Sequence, residues 1–422
     1  MLIAFDGISR PIALIGCAHL GTCLAAVLPG WRFEKASSPQ ADPIIRILHR
    51  VDEGYRLESP WLAEPFHDDT EVGIACAFVL DLIAAHVAEH PSLFCLHCAA
   101  AEFAGRLLVF PSSYHAGKST LAVRLAAAGA PVYTDDVLAV TSSGDQGVAL
   151  GIAPRLRLPL PHGAGRQFRR FVARHRGPSN NRYLYLSLPP GTQAPHGRQA
   201  PIGGFVLLDR QPSGRAELVP ASKGQVLRSV IVQHFARSFA ATAMVDRLRG
   251  LVERVPCFSL RYSDLDDAVA VLHERFAKWR AVTHEHEVLA HDRWAAPRQA
   301  MRADGPGRWT DDTASVPHFR QQPAVALHAL DGELFLVDPR DQSIYHLNLV
   351  GAGLWRLLRE PSTATEAIDV LQAAFPSVDP QRIEHDVTAL LGDLLANDLI
   401  VAHDVAAATG CQRIPSRVAA QG

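Results

Sequence analysis

An apolar stretch, Leu107 to Phe110, runs toward His115-Ala116-Gly117-Lys118-Ser119-Thr120. A segment with Leu121 and Leu125 on one helical face follows, and Asp135 and Asp136 stand shortly downstream. A Gly-Lys-Ser turn between a buried strand and a helix constrains the chain strongly. Its backbone N–H groups can converge on an anion only if the strand lies in a sheet and the helix packs on that sheet. The spacing predicts a strand over 107–110, a helix over 120–128 closed by Gly129, and a new strand from Val132 and Tyr133 into the acid pair. That order is a βαβ unit in an α/β domain.

The candidate phosphate cradle is Ser112-Ser113-Tyr114-His115-Ala116-Gly117-Lys118-Ser119-Thr120, with ATP and Mg2+ as its expected ligands. Gly117 lets backbone approach the phosphates, Lys118 reaches the β- and γ-phosphates, and the Ser119 hydroxyl ligates magnesium. Ser112 stands where the usual pattern begins with glycine, and a side chain there costs free energy if the turn needs positive φ. Asp135 and Asp136 end a strand at the edge that faces the phosphate loop. Neighbours on a strand point to opposite faces, so one should face metal and phosphate unless the strand has already turned. The other is a candidate base toward a hydroxyl or water, with an Asx-type turn cap as the plain alternative. His97, in the preceding strand, is by spacing alone more often a satisfied core residue than a catalyst.

The chain has 422 residues, enough for two or three domains, and its 48% hydrophobic and 20% charged content is that of a globular protein. A net charge of −2 exerts no strong global pull on nucleic acid or anionic lipid. Cys95 and Cys98 form one C-x-x-C without the second pair that a zinc site needs, so they read as buried small residues. The apolar stretch Pro11 to Pro29 lacks the basic start of a signal peptide. The run Val72 to Val87 is broken by Asp81 and His86 and reads as too short to span a bilayer. Its Val72, Cys76, Val79, Leu80, Ile83 and Val87 recur at helical spacing instead. A cytoplasmic protein without membrane attachment is expected.

Pattern shifts divide the chain into an N-terminal α/β part over 1–92, a nucleotide-binding domain over 93–280, a linker over 281–315, a compact module over 316–404 and a disordered tail over 405–422. Between Arg155 and Arg182 stand eight arginines and no carboxylate. They can hold phosphate or an acidic peptide, or form a solvated basic face.

Leu96-His97, Leu107-Leu108-Val109, Ala116 to Leu121 and Thr134-Asp135-Asp136-Val137 together resemble the catalytic domain of HPr kinase/phosphorylase. They are still more similar to the HPr-kinase-related serine kinases of peptide-modification systems. The segment Val255 to Leu260, followed by Asp264 and a helix, resembles that family's closing elements. The resemblance implies a P-loop catalytic domain in which Lys118 and Ser119 hold phosphate and magnesium. It implies the acid/base role for Asp135, a metal-side role for Asp136 and assistance to the carboxylate from His97. The parent family tends to form rings, which admits a homo-oligomer. It places glycine at the positions of Ser112 and His115 and an acidic residue at that of Thr120, so its phosphorylase half need not be kept here.

In the C-terminal module, strand-like Phe335 to Val337 and Ser343 to Asn348 flank a polar turn over 338–342. Helices are predicted over 349–358, 363–375 and 381–396, the second capped by Ser362 or Thr363 with Glu366. This small α+β, winged-helix-like shape could read DNA. Between Gln321 and His403, however, twelve carboxylates face four arginines, a net of −8 that repels a phosphate backbone. The stretch resembles the PqqD family, whose members recognise the leader of a ribosomally made precursor peptide by adding it as a strand to a sheet edge. That likeness implies a peptide-binding strand of Ser343, Ile344, Tyr345, His346, Leu347 and Asn348 beside the helix over 381–396.

The two halves together predict an ATP-dependent kinase that phosphorylates a serine hydroxyl on a precursor peptide recruited by its own PqqD-like module. The alternatives are a non-catalytic peptide-binding adaptor with a degenerate nucleotide domain, and a kinase or regulator of a carrier protein.

Overall fold

The computed structural model describes residues 1–36, 41–111, 116–143, 145–161, 164–233, 240–279 and 317–404. Ser112, Ser113, Tyr114 and His115 of the expected cradle lie outside the described residues, as do the expected linker over 281–315 and the tail over 405–422. The chain divides into two compact units, Met1–Thr283 and His284–Gly422.

The first unit is α/β and built on two large sheets. A six-stranded sheet runs in the order Phe33–Lys35, Leu2–Phe5, Ile12–Ile15, Ile45–Arg50, Gly54–Glu58, Phe66–Asp68. Helix Glu71–Glu89 packs on it, started by Thr70, whose side chain accepts a hydrogen bond from Gly73 N–H. This helix is longer than the sequence reading of 72–87, and by length and composition alone it could cross a membrane. Twelve of its nineteen residues, Asp81 and His86 among them, are buried inside the unit. Its apolar character is accounted for by that burial, at about 1.5–3 kcal/mol per large side chain. Leu80, expected on the packed face, is instead 55% exposed. The core formed here continues through Leu93, Cys95, Val137, Val148 and Leu150, so no break in packing falls at residue 92.

The nine-stranded sheet carries the strand Arg106–Phe110, which precedes the Gly117-Lys118-Ser119 turn, near its centre. Two strands, Leu93–His97 and Ala99–Phe103, occupy the segment ahead of it and are divided at Cys98. Leu93–His97 pairs with Val137–Thr141, while Ala99–Phe103 forms a hairpin with Arg106–Phe110. Ala104 and Gly105, both at positive φ, make the hairpin turn. Helix Lys118–Ala127 then leads to Val132–Thr134. The βαβ crossover skips a position, because Ala99–Phe103 lies between the two parallel strands and is antiparallel to both. Gln199–Arg210 runs parallel to Arg106–Phe110, and Cys257–Tyr262 runs parallel to Gln199–Arg210. These three parallel strands, together with Val132–Thr134, thus end on one side of the sheet. Cys95 and Cys98 are buried, as expected for packing residues.

Among the described residues, the second unit has two three-stranded sheets and three helices. One sheet runs Ser362–Thr363, Pro317–Gln321, Ile400–Asp404, and the other Ala326–Leu330, Glu333–Val337, Ile344–Leu347. The helices are Leu349–Leu357, Ala364–Ala374 and Pro380–Ala396, close to the sequence reading. Leu354, Trp355, Leu358, Ile383, Val387, Leu391 and Leu394 form its core with Leu334 and Leu336, while Leu390 is only partly buried. Thr363 and Glu366 close a full capping box.

Candidate functional site

The main cleft of the first unit, about 270 Å³, opens where the three parallel strands end. Such an edge is where open α/β sheets bind ligands. Gly117 enters helix Lys118–Ala127 at φ +93, a left-handed conformation that favours glycine. A Cβ at that position would stand 3.2 Å from the Tyr262 hydroxyl. That hydroxyl also lies 3.3 Å from the Ala116 carbonyl, to which it donates. Lys118 begins the helix and is only 8% exposed. Burial pulls its ammonium below the usual lysine range, against the opposing influence of Cys98, Asp136 and Asp135.

The strand before the acid pair has already turned. The Thr134 hydroxyl accepts from Asp136 N–H at 2.9 Å and Val137 N–H at 2.8 Å, an ST-type turn that ends the strand and brings both carboxylates to the cleft. The two then differ sharply in partners. Asp135 is buried and accepts from Arg155 N–H at 3.2 Å, and the Ser119 hydroxyl beside it pulls its pKa down. Burial, reinforced by Asp136, pushes it up to about 6 despite those donors. Asp136 Oδ1 lies 2.7 Å from His97 Nε2, and its Oδ2 lies 3.3 Å from the Arg155 guanidinium. Burial would raise Asp136, but the His97 hydrogen bond and the Arg155, His97 and Lys118 charges outweigh it and hold the group below the ordinary carboxylate range.

The structure therefore brings together His97, Ala116, Gly117, Lys118, Ser119, Thr120, Asp135 and Asp136 in one cleft. His97 reaches Asp136 through sheet register, since it sits opposite Val137. Arg155 joins both carboxylates, a residue that the sequence reading held only within a basic run. Arg210, Tyr262 and Ser263 also line the cleft and had not been named. The available clue was positional: Arg210 and Tyr262 end the two strands that run parallel to the loop strand.

The site's donors suit a triphosphate with a hard cation. A helix start with its lysine suits anionic oxygens, and a hydroxyl beside paired carboxylates suits magnesium. Among the described residues no group of three or more His, Cys, Asp or Glu side chains could hold a metal by itself. Magnesium bound jointly by a hydroxyl, one or two carboxylates and a nucleotide's phosphates needs no such cage.

In the second unit, Ile344–Leu347 pairs on one side with Glu333–Val337 and ends its sheet. Ser343 belongs to the preceding turn, its N–H and hydroxyl both bound by Asp341. Asn348 caps the next helix by accepting from Gly351 N–H at 2.9 Å. The strand proper is thus Ile344, Tyr345, His346 and Leu347. Tyr345 reaches Asn397 at the end of helix Pro380–Ala396 with a 3.3 Å hydrogen bond, and His346 pairs with Glu333 at 2.7 Å. Leu349, Val350 and Leu395 leave exposed apolar surface on the flanking helices.

Residues 333–400 match the family described as Coenzyme PQQ synthesis protein D, PqqD. Among solved structures, the chain is similar to TbiB1 in complex with the TbiA(beta) leader peptide, at 28% identity over 19% of this chain and 93% of that one, with a TM-score of 0.18. It is also similar to lasso peptide synthetase B1 complexed with the leader peptide, at 23% identity over 20% of this chain and 96% of that one, with a TM-score of 0.18. No curated protein matches the chain. The edge strand and the helices that follow it, together with the family match across them, identify the C-terminal unit as the bearer of a PqqD domain.

Proposed function

We propose that the chain is an ATP-dependent phosphotransferase acting on a serine hydroxyl of a ribosomally made precursor peptide, whose leader its PqqD domain recruits. One observation carries the catalytic half: Gly117, Lys118 and Ser119 converge with Asp135, Asp136 and His97 at the ends of three parallel strands. Lys118 and the start of its helix hold the β- and γ-phosphates. Bound magnesium would supply charge neutralisation for the transferring group. The position of the Ser119 hydroxyl beside Asp135 supports that pair as the metal side, and the 2.7 Å His97–Asp136 pair supports Asp136 as the base toward the acceptor. This reverses the roles that the family resemblance implied. The raised pKa of Asp135 would by itself favour it as base, so the assignment rests on the 2.7 Å pairing of His97 with Asp136.

In the transfer, the serine oxygen attacks the γ-phosphorus in line as the bond to the β–γ bridging oxygen breaks and ADP leaves. Asp136 takes the hydroxyl proton, with His97 holding the carboxylate. The PqqD domain supports the recruiting half, its edge strand offering a ladder for an extended leader. A short flexible tether would give the acceptor an effective concentration in the millimolar range.

Purified protein with ATP, magnesium and the precursor peptide should add one phosphate to the peptide. Lys118→Ala should abolish that mass shift while leaving leader binding intact; an unchanged rate rejects the reading. The second reading, a peptide-presenting adaptor, draws on the PqqD domain alone, and it requires leader affinity without magnesium-dependent ATP affinity by calorimetry.

A further inference from the structure

Helix Arg166–Arg174 begins two residues after Ala164, which lines the main cleft. Its sequence, RQFRRFVAR, buries Phe168 and Val172 and exposes Arg166, Arg170 and Arg174. Those three arginines recur at i, i+4 and i+8, one stripe along the side opposite the buried residues. The Arg169 guanidinium binds the carbonyls of Pro161 at 2.8 Å and Ala164 at 2.9 Å, tying the helix to the cleft rim. Arg157 lines the cleft as well.

This helix is poorly made for its own stability. Like charges four residues apart repel, and arginines in a first turn oppose the helix dipole. No acidic residue stands in the first turn, and Gly165 provides no side-chain cap. Local sequence that works against its own element is found at functional positions. The stripe also lies in the run of eight arginines that contains no carboxylate, so local neutralisation is absent from the sequence itself.

We infer that the Arg166/Arg170/Arg174 stripe is the docking surface for the acceptor segment, and that this segment carries carboxylates beside the phosphorylated hydroxyl. Guanidinium groups spaced along a helix bind a series of carboxylates with charge-assisted hydrogen bonds. The inference rests on the proposed kinase reading and names its substrate class: an acidic peptide. The test separates the two, because docking is read without phosphoryl transfer.

Two fluorescent twelve-residue peptides without a leader are compared on the full chain by anisotropy, one with serine among Asp and Glu, the other with the isosteric Asn and Gln. The acidic peptide should bind about tenfold tighter at low salt, and raising salt to about 0.5 M should remove the difference. The variant R166Q/R170Q/R174Q should lose the preference, and so in large part should Arg170→Glu, while ATP affinity stays unchanged in both. Equal binding of the two peptides overturns the inference, as does a preference that survives in the variants. A single-stranded oligonucleotide that outcompetes the acidic peptide also overturns it, by assigning the stripe to phosphate backbones. If the peptides bind equally yet are phosphorylated, the kinase reading stands and this one falls. If the acidic peptide docks through the stripe but no phosphate is transferred, the reverse holds.

Discussion

The Tyr262 hydroxyl holds the Ala116 carbonyl at 3.3 Å and stands 3.2 Å from the place where Gly117 would carry a Cβ. One strand end thereby secures the turn that presents Lys118. Tyr262→Phe should raise the KM for MgATP by roughly three- to tenfold through loss of about one net hydrogen bond, with kcat less affected. Gly117→Ala should do more, because its φ of +93 strains any L-residue and because the added methyl presses on the same hydroxyl. Relieving that pressure with Tyr262→Phe should leave most of the Gly117→Ala defect in place. Steady-state kinetics on the three variants checks this.

The two adjacent carboxylates should separate by kinetics. Asp136→Asn and His97→Ala should lower kcat by about 10²–10⁴ while leaving ATP affinity near that of the parent protein. Asp135→Asn should shift the magnesium concentration needed for half-maximal rate upward. A magnesium shift confined to Asp136→Asn would restore the roles that the family resemblance implied.

Outside the cleft lining, Trp31, His86, His90 and His196 pack their rings together, with Trp31 and His196 stacked at 4.2 Å. Burial, then the charges of His90 and His196, lowers His86 to about 4. Burial also lowers His196. The unfolded chain therefore binds more protons than the native one below the ordinary histidine value of about 6.5. This contribution to stability is full above that pH and is lost progressively as pH falls toward 4. Melting temperature should drop across that window, and the drop should be shallower in His86→Asn even though that variant starts from a lower value.

In the second unit, Asp338 N–H donates to the Ser343 carbonyl at 3.0 Å, and Gln342 N–H donates to the Asp338 carbonyl at 2.9 Å. This bulge, with Gln342 at φ +63, sets which groups of the edge strand are spent. Tyr345 and Leu347 then exchange ladder bonds inward, and Ile344 and His346 turn their N–H groups outward. Ile344→Pro should remove an outward donor without breaking the existing ladder. Leader affinity should fall about tenfold or more while circular dichroism stays unchanged. Unaltered binding would move leader docking away from this edge.

The second unit was legible because its periodicities are local. The helices are set by Leu354, Trp355 and Leu358, by Ile383, Val387, Leu391 and Leu394, and by the Thr363–Glu366 box. Its edge strand was overextended by one residue at each end. Ser343 serves the turn and Asn348 the helix cap, and side-chain hydrogen bonding rather than hydropathy decides those positions. In the first unit, the Gly117-Lys118-Ser119 turn and its helix were readable for the same reason. Leu80 was misplaced on the buried face, since spacing reveals a helix but not how much of its circumference is covered.

By itself the sequence determined the strand–turn–helix with its glycine, its lysine and the acid pair downstream, because backbone stereochemistry and hydrophobic period act over a few residues. Only the tertiary structure decided which groups meet. His97 reaches Asp136 through strand register, Ser119 and Asp135 come to line one cleft, and Arg155, Arg210 and Tyr262 arrive from distant segments. Those encounters depend on the order of strands in a sheet, which is set by the packing of the whole core and leaves no short-range trace in the chain.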